Sequence, residues 1–118
     1  MSEAMHRVRR RAERVDVQHK REALAVVGPI RSRIGDWQLK LARINAHAAR
    51  GNLPGELRRS LRGEIVSLGA AIREHRCELD RLADALPDGV CRNSWFTDTV
   101  RALQSVDAAV SRTASLLR

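Results

Sequence analysis

Aromatic residues are scarce in this chain. Trp37, Trp95 and Phe96 are the whole set, and there is no tyrosine. Sequence-specific recognition of single strands leans on aromatic platforms for base stacking, so an extended base-reading surface is excluded. Cysteine is as sparse. Cys77 and Cys91 lack the paired spacing of a zinc site and are too few for a disulfide framework, which leaves two reduced thiols in a cytosol as the expectation. Long apolar runs are missing too. The longest, Ala23-Leu24-Ala25-Val26-Val27, falls far short of the ~20 residues that span a bilayer. No apolar signal core follows the N-terminal charges. The expectation is a soluble cytoplasmic protein with no membrane partner. There is also no Gly-rich phosphate loop, no His-Glu-x-x-His, no Cys-x-x-Cys and no Gly-x-Ser-x-Gly elbow. Ser60, Ser67 and Ser94 have no visible base partner. The chain is therefore expected not to be an enzyme, and no cofactor or metal is called for.

What is abundant is Ala, Leu, Arg and Glu, all good helix formers. The 118 residues suit one domain with a single modest core. Three clusters pair Pro with Gly and break the pattern: Gly28-Pro29, Gly51-Asn52-Leu53-Pro54-Gly55 and Pro87-Asp88-Gly89. Between them the apolar residues keep helical spacing. The first stripe is Met5, Val8, Ala12, Val15, His19, Ala23, Val26. The second is Ile30, Ile34, Trp37, Leu41, Ile44, Ala48. The third is Leu57, Leu61, Ile65, Leu68, Ile72, His75, Leu79, Leu82, Leu86. The fourth is Phe96, Val100, Leu103, Asp107, Val110, Ala114, Leu117, with Ser94 as its N-cap. This 3–4 alternation is the seam of antiparallel helices packed at shallow angles. The fold class expected is all-α, an antiparallel bundle of four helices over 1–118. The first two become one helix if Gly28-Pro29 kinks the chain instead of turning it. Trp37 is expected in the core, with Trp95 and Phe96 covering a bundle end.

Charge is lopsided. Residues 1–62 carry 15 Lys+Arg against 6 Asp+Glu, while residues 63–118 carry 7 against 8. Twenty of the 22 cations are Arg. A GC-rich genome accounts for a high Arg:Lys ratio, but not for the excess positive charge sitting in one half of the chain. Positions beside the first apolar stripe hold Arg7, Arg11, Arg14, Gln18 and Arg21. Beside the second stand Arg33, Asp36, Lys40, Arg43, His47 and Arg50. Two consecutive segments thus carry a cationic flank, the footprint of a phosphate-backbone partner, and Arg grips phosphate oxygens in a bidentate fork. Arg58, Arg59 and Arg62 crowd the first turns of the third helix, while Asp80, Asp84 and Asp88 lie near its end. That placement opposes the helix macrodipole and makes an anion site of the helix start. The alternative for all of these is a solvated surface.

Three polar residues fall on the apolar seam: His19, His75 and Asp107. The pairs His19/Glu22 and His75/Glu78 have the ingredients of a bundle metal site, but a hydrogen-bonded core histidine accounts for them equally and no metal is assigned. The fourth helix is nearly bare of charge. Ala102, Val106, Ala109 and Leu116 give it a second apolar side, expected to meet another protein subunit, like or unlike, unless the helix is central in the bundle.

In size, helicity and Arg-rich character the whole chain resembles the small helical subunits of CRISPR effector complexes. The carriers are Arg7, Arg11, Arg14, Arg21, Arg33, Lys40, Arg43 and the Arg58-Arg59-Arg62 cluster, with no diagnostic motif. The resemblance implies a non-catalytic subunit, present in several copies, that holds a nucleic-acid backbone, RNA or DNA, in antiviral defence. Two other classes stay open: a helical adaptor or inhibitor docking on an acidic protein surface, and a peripheral membrane binder.

Overall fold

The computed structural model describes the backbone of residues 3–87 and 93–118, and within these the side chains from residue 17 onward. The expected Asp88 and Cys91 lie outside the described residues. Among them are three helices and no strand: α1 (Glu3–Ala49), α2 (Gly55–Ala85) and α3 (Ser94–Leu116).

The expected count of four helices is corrected to three, because α1 runs straight through Gly28-Pro29. The reason is burial. Ala23, Val27, Ile30 and Ile34 are all buried and keep the 3–4 register across the proline, so a turn there would pull two of them out of the core. Gly28 and Pro29 themselves are exposed. The backbone bond that proline removes is the one to the carbonyl of Ala25, a residue that is also exposed and open to hydration. Val27, fully buried, takes the seam position expected for Val26.

The other breakers do end helices. After Ala49 the chain turns through Gly51 at φ 66° and Asn52 at φ 49°, and Gly51 donates its N–H to the Ala48 carbonyl at 3.3 Å. This left-handed cap, followed by Pro54, is a strong helix stop. At the far end of α2 the Leu86 N–H caps the Leu82 carbonyl at 3.0 Å just before Pro87. The start of α3 is one residue earlier than expected. Asn93, not Ser94, is the N-cap, and its carbonyl accepts the Phe96 and Thr97 N–H groups at 3.1 Å.

The helices run up, down and up. Arg43 meets Glu64 and Arg33 meets His75, so α2 is antiparallel to α1. Asn45 meets Thr113, and Ile34 lines one cleft with Thr99 and Ala102, so α3 is parallel to α1. The α2 stripe is buried as expected, with Leu61, Ile65, Leu68, Ile72 and Leu79 inside. Trp37 is in the core, and Trp95 with Phe96, edge to face at 6.1 Å, closes one end.

The α3 stripe needs correction at alternate positions. Thr99, Val106 and Thr113 are buried where Val100, Asp107 and Ala114 were expected. Threonine enters this core because its hydroxyl is satisfied there. Thr99 Oγ1 donates to the Trp95 carbonyl at 2.6 Å, and Thr113 Oγ1 to Asn45 Oδ1 at 2.8 Å. Asp107 is rotated to the side and paired with Arg76 of α2.

The expected protein-binding face of α3 is corrected with it. Val106 is core, and Ala102 and Ala109 pack against the core. Leu116 alone of that set is exposed. A helix nearly bare of charge is so here because it is central, packing along both α1 and α2, which approach each other less closely than either approaches α3.

Leu86, at the end of α2, packs with Ala23, and Trp95, at the start of α3, packs against that pair. Neither α2 nor α3 extends beyond that level in the described residues. The segment 3–22 of α1 therefore projects from the bundle as an arm of about 30 Å. The molecule measures 76 × 18 × 17 Å. Its long axis matches the ~46 Å of α2 plus that arm.

Candidate nucleic-acid interface

The eleven cations expected to contact phosphate do not form one rail. The structure divides them into three groups.

The first group is on the arm. Arg7, Arg11 and Arg14 belong to α1 by their backbone, while their side chains lie outside the described set. Arg21 is exposed and has no ion pair among the described residues. With 3.6 residues per turn, register positions 7, 11, 14 and 21 fall within an arc of roughly 80°. Arg10 lies at the edge of the same arc. Reading one residue before each core position misses it, whereas a full helical wheel finds it. The block 7–14 holds five Arg and one Glu. Past Arg21 this outer face of α1 continues through Ala25, Gly28 and Ser32, which are exposed and uncharged. The basic face thus stops where the bundle begins.

Two of the three cations of the second group are consumed within the fold, and here the expectation of a free rail is corrected. Arg33 Nη1 donates to His75 Nε2 at 3.0 Å. The other ring nitrogen, Nδ1, is buried and faces Glu78 Oε1 at 3.3 Å without a hydrogen bond. The His75 ring also lies 5.5 Å from the Trp37 ring. Arg43 Nη2 reaches both Glu64 oxygens, at 3.0 and 2.9 Å. Lys40 is exposed, in an open groove of about 440 Å³ whose walls include Trp37, Glu64 and Ser67. The flank of the second stripe faces α2 and ties α1 to it. Its charge looked free because each partner is distant in sequence.

The third group sits at the opposite end of the bundle. Arg50, Arg58 and Arg59 cluster around the α1–α2 turn with no ion pair among the described residues. Arg62 is turned away from them, its Nε donating to the Leu117 carbonyl at the end of α3. It acts there as a C-terminal cap for a helix with no basic residue in its last turn. The α2 start therefore keeps two of its three expected anion-binding arginines, and Pro54 gives it no side-chain cap.

The seam histidines are not brought together. His75 sits level with Arg33, and His19 lies 14 residues away along α1, or about 21 Å. No cluster of three metal-ligating side chains occurs among the described residues. No helix among them is long and apolar enough to cross a membrane.

The chain matches no protein-family model, no curated protein and no solved structure. The interface therefore stands on geometry and charge alone.

Proposed function

We propose that this protein binds a nucleic-acid backbone through the arm of α1, largely independently of sequence, with the three-helix bundle as the anchor. The observation that carries the reading is the projection of the Arg-rich segment beyond α2 and α3. A helix accompanied on two sides presents a limited face, as α1 does between Ala23 and Ala49. Beyond the level of Ala23 neither α2 nor α3 accompanies the arm in the described residues, so a polyanion can approach its basic arc without displacing either helix. An unaccompanied helix also fits the major groove of a duplex, which is ~12 Å wide. The second basic cluster, Arg50, Arg58 and Arg59, is at the other end of a 76 Å molecule. It serves the same partner only where the strand runs the length of the protein or another copy of the chain continues the path. The likeness to small CRISPR subunits belongs to this reading, since such a subunit would hold a guide–target duplex or a displaced strand by its backbone.

The scarcity of aromatics supports contacts led by phosphate, which position a strand without reading it. The test is a paired comparison. Arg11→Glu/Arg14→Glu/Arg21→Glu removes binding to a random-sequence strand, whereas Arg33→Gln/Arg43→Gln leaves it within about threefold, the scale of a residual long-range field. Equal losses from the two sets would move the interface off the arm.

A further inference from the structure

The arm carries an apolar register as well as a basic one. Met5, Val8, Ala12, Val15 and His19 repeat at 3–4 spacing and lead into the bundle seam at Ala23. The first four lie past the level of Ala23, where α2 and α3 end in the described residues. At the base of the arm, His19 is half-buried, and its Nδ1 is buried without a hydrogen-bond partner.

We propose that the occupant of this face is a second copy of the chain, with the two arms pairing antiparallel around a two-fold axis. Length, charge and continuity each select it. Place register position 12 of one arm opposite position 15 of the other. Position 8 then falls opposite His19, and position 4 opposite Ala23. Each arm tip meets the other copy's bundle end, so the arms overlap in full and the bundles do not collide.

Charge chooses the direction. A parallel pair would lay the Arg-rich block 7–14 against itself. The antiparallel register instead puts position 9 of each arm on the same flank as position 16 of the other, offset by only two residues or about 3 Å along the axis, so Arg9 is set beside Asp16 twice over the two-fold axis. Flanking charges of this kind decide partner and orientation in paired helices. Continuity is the third argument, because the seam occupied is the one the bundle already uses. The basic arc holding Arg7, Arg14 and Arg21 lies on roughly the opposite side of the helix, so pairing leaves it open. The dimer does not rest on the nucleic-acid reading.

Sedimentation equilibrium of the full chain, free of nucleic acid, tests this. The expected result is a reversible dimer. Arg9→Asp or Asp16→Arg alone raises its dissociation constant roughly tenfold, and the double variant returns to within about threefold of the wild type. Val15→Asp yields a monomer with the bundle's melting temperature unchanged, because position 15 lies outside the bundle. A wild-type chain that is monomeric at every concentration overturns the proposal, as does a double variant no better than its singles. A monomeric wild type whose Val15→Asp variant loses affinity for a random strand would assign the face to the polyanion and overturn it equally.

Discussion

Replacing Pro29 by alanine tests whether α1 is one helix. Proline inside a helix lacks an N–H and crowds the preceding turn, at a cost of about 3 kcal/mol relative to alanine. In α1 the lost bond is on the solvent side, where Ala25 is exposed and its carbonyl is open to water, and the buried contacts of Val27 and Ile30 hold the register on either side. Part of the cost is therefore already relieved, and Pro29→Ala should recover about 1–2 kcal/mol. For a chain of this length that raises the melting temperature by roughly 4–8 °C. Thermal and urea unfolding followed by far-UV circular dichroism measure it, with the urea midpoint rising at unchanged slope. A turn at Gly28-Pro29 would reverse the sign, since proline in a compatible turn stabilises by restricting the unfolded chain. An unchanged or lower melting temperature in Pro29→Ala would refute the continuous helix.

Gly35→Ala and Gly63→Ala should each stabilise by about 0.5–1 kcal/mol in urea unfolding, because a Cβ at either position meets no atom within 4 Å. Leu103→Ala should destabilise by about 2–5 kcal/mol, since Leu103 is 1% exposed on the central helix. Thr113→Val should cost about 1 kcal/mol by losing its bond to Asn45, whereas a gain would mean that the hydroxyl is tolerated rather than used. Arg43→Gln should change stability by less than about 1 kcal/mol, because its pair with Glu64 is largely solvated, with the guanidinium side chain 50% exposed.

What was legible in the sequence divides along physical lines. The α2 stripe from Leu57 to Leu86 could be read residue by residue because it is long, regular and strongly apolar. In α3 the rule that polar residues face water misplaced Thr99 and Thr113. Their hydroxyls are satisfied by a backbone carbonyl and by Asn45, and no local pattern announces a partner 68 residues away. Pro29 and Gly28 were breakers by composition and gave the count of four; the single helix became legible only from the burial of Ala23, Val27, Ile30 and Ile34 on one register. For the interface, the Arg-rich start of the chain was legible as charge. What the sequence withheld was accompaniment. Arg33 and Arg43 resemble Arg21 in sequence, yet His75 and Glu64 occupy the first two.

Burial and pairing across helices thus separate the free cations from the committed ones. The bundle uses Arg33, Arg43, Arg62 and Arg76 to join its helices. Of the eleven expected cations, Arg21 on the arm, Lys40 and those at the α1–α2 turn have no ion pair among the described residues.

The most direct measurement of the central claim is the salt dependence of strand binding by the full chain and by Arg11→Glu/Arg14→Glu/Arg21→Glu. If the arm grips phosphates, log affinity falls linearly with log salt, and the triple change lowers the slope by at least about two, at ~0.7–0.9 per lost contact. An affinity and slope unaltered by the triple change would contradict the claim.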